Sequence, residues 1–201
     1  MISATRPVLV WATFALLLSA AASAVEVNGV TVAEHVQIGS NGPNLVLNGA
    51  GVRTRLIFKV YVAALYLPAK MNNGEEILRD DQPRRLLLHL LRDLTSKELT
   101  TSMIDALNET LTSAERSPLE SRTRQFDAIL ETLHGVKRGT QIAIDYVPQF
   151  GTIVLVDGNE KGRIPGADFN QALLRVWIGA RPRDVELRTA LLGLKPDPVL
   201  H

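Results

Sequence analysis

The sequence predicts an α+β fold, because strand-like and helix-like stretches are segregated in the order strands, two helices, strands, two helices, and do not alternate as a parallel βαβ repeat would. Hairpin and capping signals support that order. Asn28-Gly29 lies between Val25-Glu26-Val27 and Val30-Thr31-Val32, and both turn residues tolerate positive φ. Asn41-Gly42-Pro43 is a second turn, followed by strands at Asn44 to Asn48 and at Arg55 to Leu67. In the longer stretch Leu56, Phe58, Val60, Val62 and Ala64 form an apolar face, and Arg55, Ile57, Lys59, Tyr61 and Ala63 a mixed one where chemistry could sit. Pro68 ends that strand, and Gly74 to Asp80 suits a short helix.

Arg84 to Leu91 is apolar on both faces apart from His89 and the flanking arginines, which fits a central strand in a covered sheet. Thr95 and Glu98 can cap each other's amides at the start of a helix striped by Leu99, Met103, Leu107 and Leu111. Ser117-Pro118-Leu119-Glu120 opens a second helix, with Pro118 at its first position and a stripe of Leu119, Phe126, Ile129, Leu130 and Leu133. Gln141 to Val147 is a strand with Ile142, Ile144 and Tyr146 opposite Asp145. Thr152 to Val156 and Lys161 to Ile164 flank a hairpin turn at Asp157-Gly158-Asn159. Helices from Phe169 to Ile178 and Asp184 to Leu192 close the chain, ending at Gly179 and Gly193.

The chain has 201 residues, 46% hydrophobic and 21% charged, which is the balance of one globular domain. Residues 1–24 read as a signal peptide: Arg6 is a positive n-region, Val8 to Leu18 an apolar h-region and Ala22-Ser23-Ala24 a small-residue cleavage site. The mature domain is therefore expected at 25–201, exported and periplasmic, with no transmembrane segment after signal removal because charges interrupt every later apolar run. Removing Arg6 leaves 21 basic against 21 acidic residues, which argues against a nucleic-acid partner. Cysteine is absent, so the fold must rest on its core and not on cross-links.

No common catalytic signature is present. HExxH, GxSxG and P-loop patterns are missing, and His35, His89, His134 and His201 are too scattered for a metal site; no metal and no cofactor is expected. His89 reads as a histidine satisfied in an apolar strand, Arg92-Asp93 as a surface pair, and Trp177 as core. Gly49-Ala50-Gly51 lacks the third glycine and the following helix of a dinucleotide loop, and reads as a strained β turn.

The informative segments are Leu47-Asn48-Gly49-Ala50-Gly51-Val52-Arg53 and Phe58-Lys59-Val60-Tyr61-Val62-Ala63-Ala64-Leu65-Tyr66-Leu67. Together with Arg92-Asp93-Leu94, Asp168-Phe169, Trp177-Ile178-Gly179 and Leu191-Leu192-Gly193, they resemble the chalcone isomerase superfamily over nearly the whole mature chain. The resemblance implies a large antiparallel β-sheet with helices packed on one face and a ligand cleft between them. It also implies five polar pocket positions, of which one is kept. The arginine is Arg53, but the threonine position holds Tyr61, the helix tyrosine and asparagine positions hold Leu99 and Ala106, and the position before Trp177 is Val176.

An anionic intermediate in a dry cleft needs several oriented donors, so this set implies that the parent isomerisation is lost. Arg53 with Tyr61 is similar instead to the non-catalytic fatty-acid-binding branch of the superfamily, in which an arginine and a tyrosine hold a carboxylate. The expected ligand is a fatty acid or similar small amphipathic carboxylate. Two alternatives stay open: an isomerase or intramolecular lyase on another phenolic or enone substrate, and a structural or partner-binding module. The spacing poses a geometric condition, because on one regular strand Arg53 and Tyr61 would stand roughly 26 Å apart, so a bend near Arg53 to Arg55 is required.

Overall fold

A computed structural model describes residues 23–195. The expected signal peptide therefore lies almost wholly outside the described residues. The chain runs β1 (Ala24–Val27), β2 (Val30–Ala33), β3 (His35–Gln37), β4 (Asn44–Arg55), β5 (Phe58–Leu67), α1 (Gly74–Arg79), β6 (Arg84–Leu90), α2 (Ser96–Thr110), α3 (Ser113–Glu131), β7 (Gln141–Val147), β8 (Gly151–Val156), β9 (Asn159–Ile164), α4 (Ala167–Ile178) and α5 (Val185–Leu191). Strands β3 to β9 form a seven-stranded antiparallel sheet in sequence order, which places β6 fourth of seven, the central position its two apolar faces require.

One face of the sheet carries the main core. Leu65 and Leu67 of β5, Leu86 and Leu88 of β6 and Ile142 and Ile144 of β7 meet Leu107 of α2, Phe126 of α3, Phe169 and Trp177 of α4 and Leu191 of α5. The other face is partly covered by the β1–β2 hairpin, where Val30 and Val32 pack on Val62, Ala64 and Tyr66. Asn28 and Gly29 take the positive φ values that their hairpin turn needs, and Asp157 and Gly158 do the same between β8 and β9.

Three local expectations are corrected. The first strand does not stop at Asn48, and the second does not start at Arg55: β4 continues to Arg55, the chain reverses through Leu56-Ile57, and β5 begins at Phe58. Gly49-Ala50-Gly51 is not a turn but extended strand. Its glycines make room for α5, since a Cβ on Gly49 would lie 2.0 Å from the Ala190 carbonyl oxygen and one on Gly51 2.7 Å from the Ala190 Cβ. Helix α3 begins at Ser113, because Thr112 and Glu115 form a complete capping box five residues before the expected start, and Pro118 falls inside the helix.

Glu115 also joins α3 to α4 through a two-pronged ion pair with Arg175, at 2.7 and 3.0 Å. That pair, with the capping bonds from Thr112, holds its carboxyl down at about 2. A folded value depressed below the ordinary one of about 4.3 gives stability that is present above that pH and lost as pH falls toward 2. Glu115→Gln keeps the capping box, so it isolates the ion pair; the expected loss at neutral pH is about 1 kcal/mol, discounted for partial exposure. Thermal melts of both proteins against pH check this, and their curves should converge near the bottom of the window.

Candidate functional site

Arg53 and Tyr61 stand directly opposite each other across the β4–β5 hairpin. Directly paired residues of antiparallel strands project to the same face, so the reversal at Leu56-Ile57 does what the expected bend was required to do. Beyond this pair the register slips: Thr54 faces Lys59, which leaves Val60 as an extra residue opposite no partner. Such a bulge re-aims side chains, and Val60 lines the same cavity as Tyr61 although simple alternation puts it on the other face.

The cavity has a volume of about 700 Å³. Leu88 and Leu90 of β6 lie on its sheet side, Leu99, Met103 and Ala106 of α2 on its helical side, and Val176, Trp177 and Leu187 close it from α4 and α5. Leu99, Ala106 and Val176, the three apolar replacements, thus share one hollow with Arg53 and Tyr61. At its edges stand three ion pairs: Arg53 with Asp184, Arg92 with Glu98, and Arg183 with Glu109. Arg92 therefore pairs with Glu98 and not with Asp93, which instead binds Lys137 and the Arg138 amide.

Arg53 is held by its Nη1, which donates 2.9 Å to Asp184 Oδ2 and 3.2 Å to the Thr54 carbonyl. Asp184 uses its other oxygen to cap α5 at the Leu187 amide, 2.9 Å away, so it is positioned by the helix it starts. Among the described residues no hydrogen bond runs from Arg53 Nη2 or Nε. Tyr61 Oη accepts a 2.9 Å hydrogen bond from Trp177 Nε1. A phenol that accepts in this way keeps its own proton for another partner. Burial pushes the Tyr61 phenol up, against smaller opposing effects of the Trp177 bond and the Arg53 charge, and keeps it protonated as a donor.

Sequence reasoning missed Asp184, Trp177 as a hydrogen-bond donor, and the Arg183–Glu109 pair. Arg53 and Asp184 are 131 positions apart, and no local spacing pattern links them. His89 lies on the opposite face, beside Tyr66 and Arg85.

A curled antiparallel sheet with helices on one side and a cavity beneath α2 defines an α+β ligand-cavity class of protein. The chain belongs to the chalcone isomerase-like family, whose model matches residues 24–193. Among solved structures it is similar to the fatty-acid binding protein of Arabidopsis thaliana, at a TM-score of 0.61 and 17% identity over 79% of this chain and 96% of that one. At that identity the likeness is one of fold. No curated protein sequence matches the chain.

Proposed function

We propose that the protein is exported and binds a fatty acid or similar small amphipathic carboxylate without transforming it. The observation that carries this reading is an apolar hollow of about 700 Å³ with Arg53 and Tyr61 side by side in its wall. That volume is in the range of small-molecule sites; about half of the lining side chains are apolar and the rest are polar or charged, among them Lys97, Thr101, Ser102 and Asp105 of α2. The unengaged Arg53 N–H groups and the Tyr61 hydroxyl proton are donors for one carboxylate, while the lining from α2 and β6 accepts the chain.

Two features weigh against turnover of a phenolic or enone substrate at this place. Tyr61 is held protonated, which suits a donor and not a base. Leu99, Ala106 and Val176 place hydrocarbon at three positions where the family resemblance expects oriented polar groups. An open cavity also differs from the side-chain-filled cleft that a purely structural module would show. Export rests on the leader-like pattern of Arg6, Val8 to Leu18 and Ala22-Ser23-Ala24.

Native mass spectrometry with calorimetry of a C12 to C18 fatty-acid series tests the reading. Wild type should carry or take up one acyl ligand, and the same spectra should show a chain that starts at Val25. Arg53→Ala should weaken binding at least about tenfold and Tyr61→Phe about threefold to tenfold, the difference between a charge-assisted and a neutral hydrogen bond. Asp184→Asn, which removes the competing carboxylate but can still cap α5, should bind as tightly or tighter. Binding that is absent in wild type, or equal in Arg53→Ala, would sink the proposal.

A further inference from the structure

The hairpin that brings Arg53 to Tyr61 has an unusual tip. Leu56 and Ile57 are 89% and 85% exposed, and Phe58 beside them 57%. Leu56 also adopts φ +56°, a conformation that bulky side chains rarely take and that the first position of such a two-residue turn reserves for glycine. The other described non-glycine residues at positive φ are Asn28, His134, Gln149 and Asp157, all polar. The tip therefore sets two large aliphatic groups in water and holds one of them in a strained backbone, where Gly-Asn would make the same turn with neither cost.

The charges along the hairpin segment itself have one sign. From Arg53 to Lys59 the sequence has three cations, Arg53, Arg55 and Lys59, and no acid. Arg53 is paired with Asp184, and Lys59 Nζ donates to the neutral Asn28 Oδ1; among the described residues Arg55 makes no ion pair. Arg53 and Arg55 both line the cavity, so the tip stands at its edge. Val185, next to the Asp184 that grips Arg53, adds a further apolar side chain that is 62% exposed.

We infer that the Leu56-Ile57 hairpin tip is a docking wedge for an anionic lipid bilayer, with Leu56, Ile57 and Phe58 entering the acyl boundary and Arg55 and Lys59 facing the headgroups. An apolar tip with flanking cations is complementary to that surface on both counts, since interfacial binding combines buried apolar area with attraction to anionic lipid. The wedge would set the edge of the cavity against the membrane. Docking is a property of the tip, and stands whether or not the cavity takes a fatty acid.

The absence of cysteine gives a local test in the full chain. A nitroxide on Ile57→Cys reports the tip, and one on Phe150→Cys reports a second exposed apolar residue, beyond the far end of β7 from the hairpin. With vesicles of phosphatidylcholine and phosphatidylglycerol, the label at 57 should gain oxygen accessibility and lose access to a water-soluble nickel complex, and the label at 150 should not change. Leu56→Gly should melt higher than wild type, because the strain is relieved, yet the depth signal at position 57 in that background should require about fivefold more lipid. A label at 57 that stays in water on anionic vesicles overturns the inference. So does immobilisation of that label with rising protein concentration and no lipid, which would make the tip a contact between copies. Unchanged lipid demand in Leu56→Gly overturns it as well.

Discussion

Gly49→Ala is expected to cost about 3 kcal/mol of stability, at the upper end of the usual range for overpacking. The added Cβ would lie 2.0 Å from the Ala190 carbonyl oxygen and 2.8 Å from that of Leu191, and both are backbone atoms that no rotamer change can move aside. Helix α5 must shift bodily or β4 must bend. Neither motion is free, because the neighbouring Asn48 is buried and ties the two elements together: its Nδ2 donates 2.8 Å to the Leu191 carbonyl, while its Oδ1 accepts from the Met71 amide at 2.7 Å. Loss of unfolded-state freedom on replacing glycine returns only about 0.4–1 kcal/mol. The melting temperature should fall by roughly 6–12 °C for a chain of this size. Because α5 carries Leu187 and is capped by Asp184, the shift should also loosen Arg53 and weaken any ligand that depends on it. Calorimetric melts decide the first part. A loss below about 0.5 kcal/mol, the size of an ordinary surface change, would show that the strand and helix stand further apart than described.

The parts of the fold that local chemistry dictates were legible in the sequence. Asn28-Gly29 and Asp157-Gly158 make the turns they announce, Thr95 and Glu98 cap α2 reciprocally, and the doubly apolar run from Arg84 sits at the centre of the sheet. Where two local signals competed, the choice was harder to read. Thr112 with Glu115 prevails over Ser117-Pro118-Leu119-Glu120 because a helix started earlier continues through an internal proline. The β4–β5 reversal carried no signal at all, since its tip holds leucine and isoleucine where turn chemistry calls for glycine or asparagine. That omission made Arg53 and Tyr61 look far apart when they are cross-strand neighbours. Asp184 and the Trp177 indole were invisible as site groups for a different reason: each already has a structural task, a helix cap and a core side chain, and its second bond exists only after the chain has closed.

Arg85 and Asp145 form the most deeply set ion pair among the described residues, and breaking it from either side is expected to have unequal effects. They are cross-strand partners of β6 and β7, joined by two bonds of 2.6 and 2.7 Å. The Asp145 side chain is only 2% exposed, while that of Arg85 is 16% exposed and is long enough to approach the Gln37 carbonyl at 3.4 Å. Arg85→Ala strands a carboxylate that cannot reach water, and should cost about 4 kcal/mol. Asp145→Ala leaves a guanidinium that can turn outward, so about 2 kcal/mol is expected. Replacing both by leucine should recover most of either loss, since a buried pair is costly to break but worth little against well-packed hydrocarbon. Denaturant titrations of the two single variants and the double one give the coupling. The pair lies on the face of the sheet shared with Tyr66 and His89, away from Arg53 and Tyr61. Ligand affinity measured on the folded fraction should therefore be unchanged in all three variants, whereas Gly49→Ala should lower it, and that contrast separates damage to the scaffold from damage to the cavity.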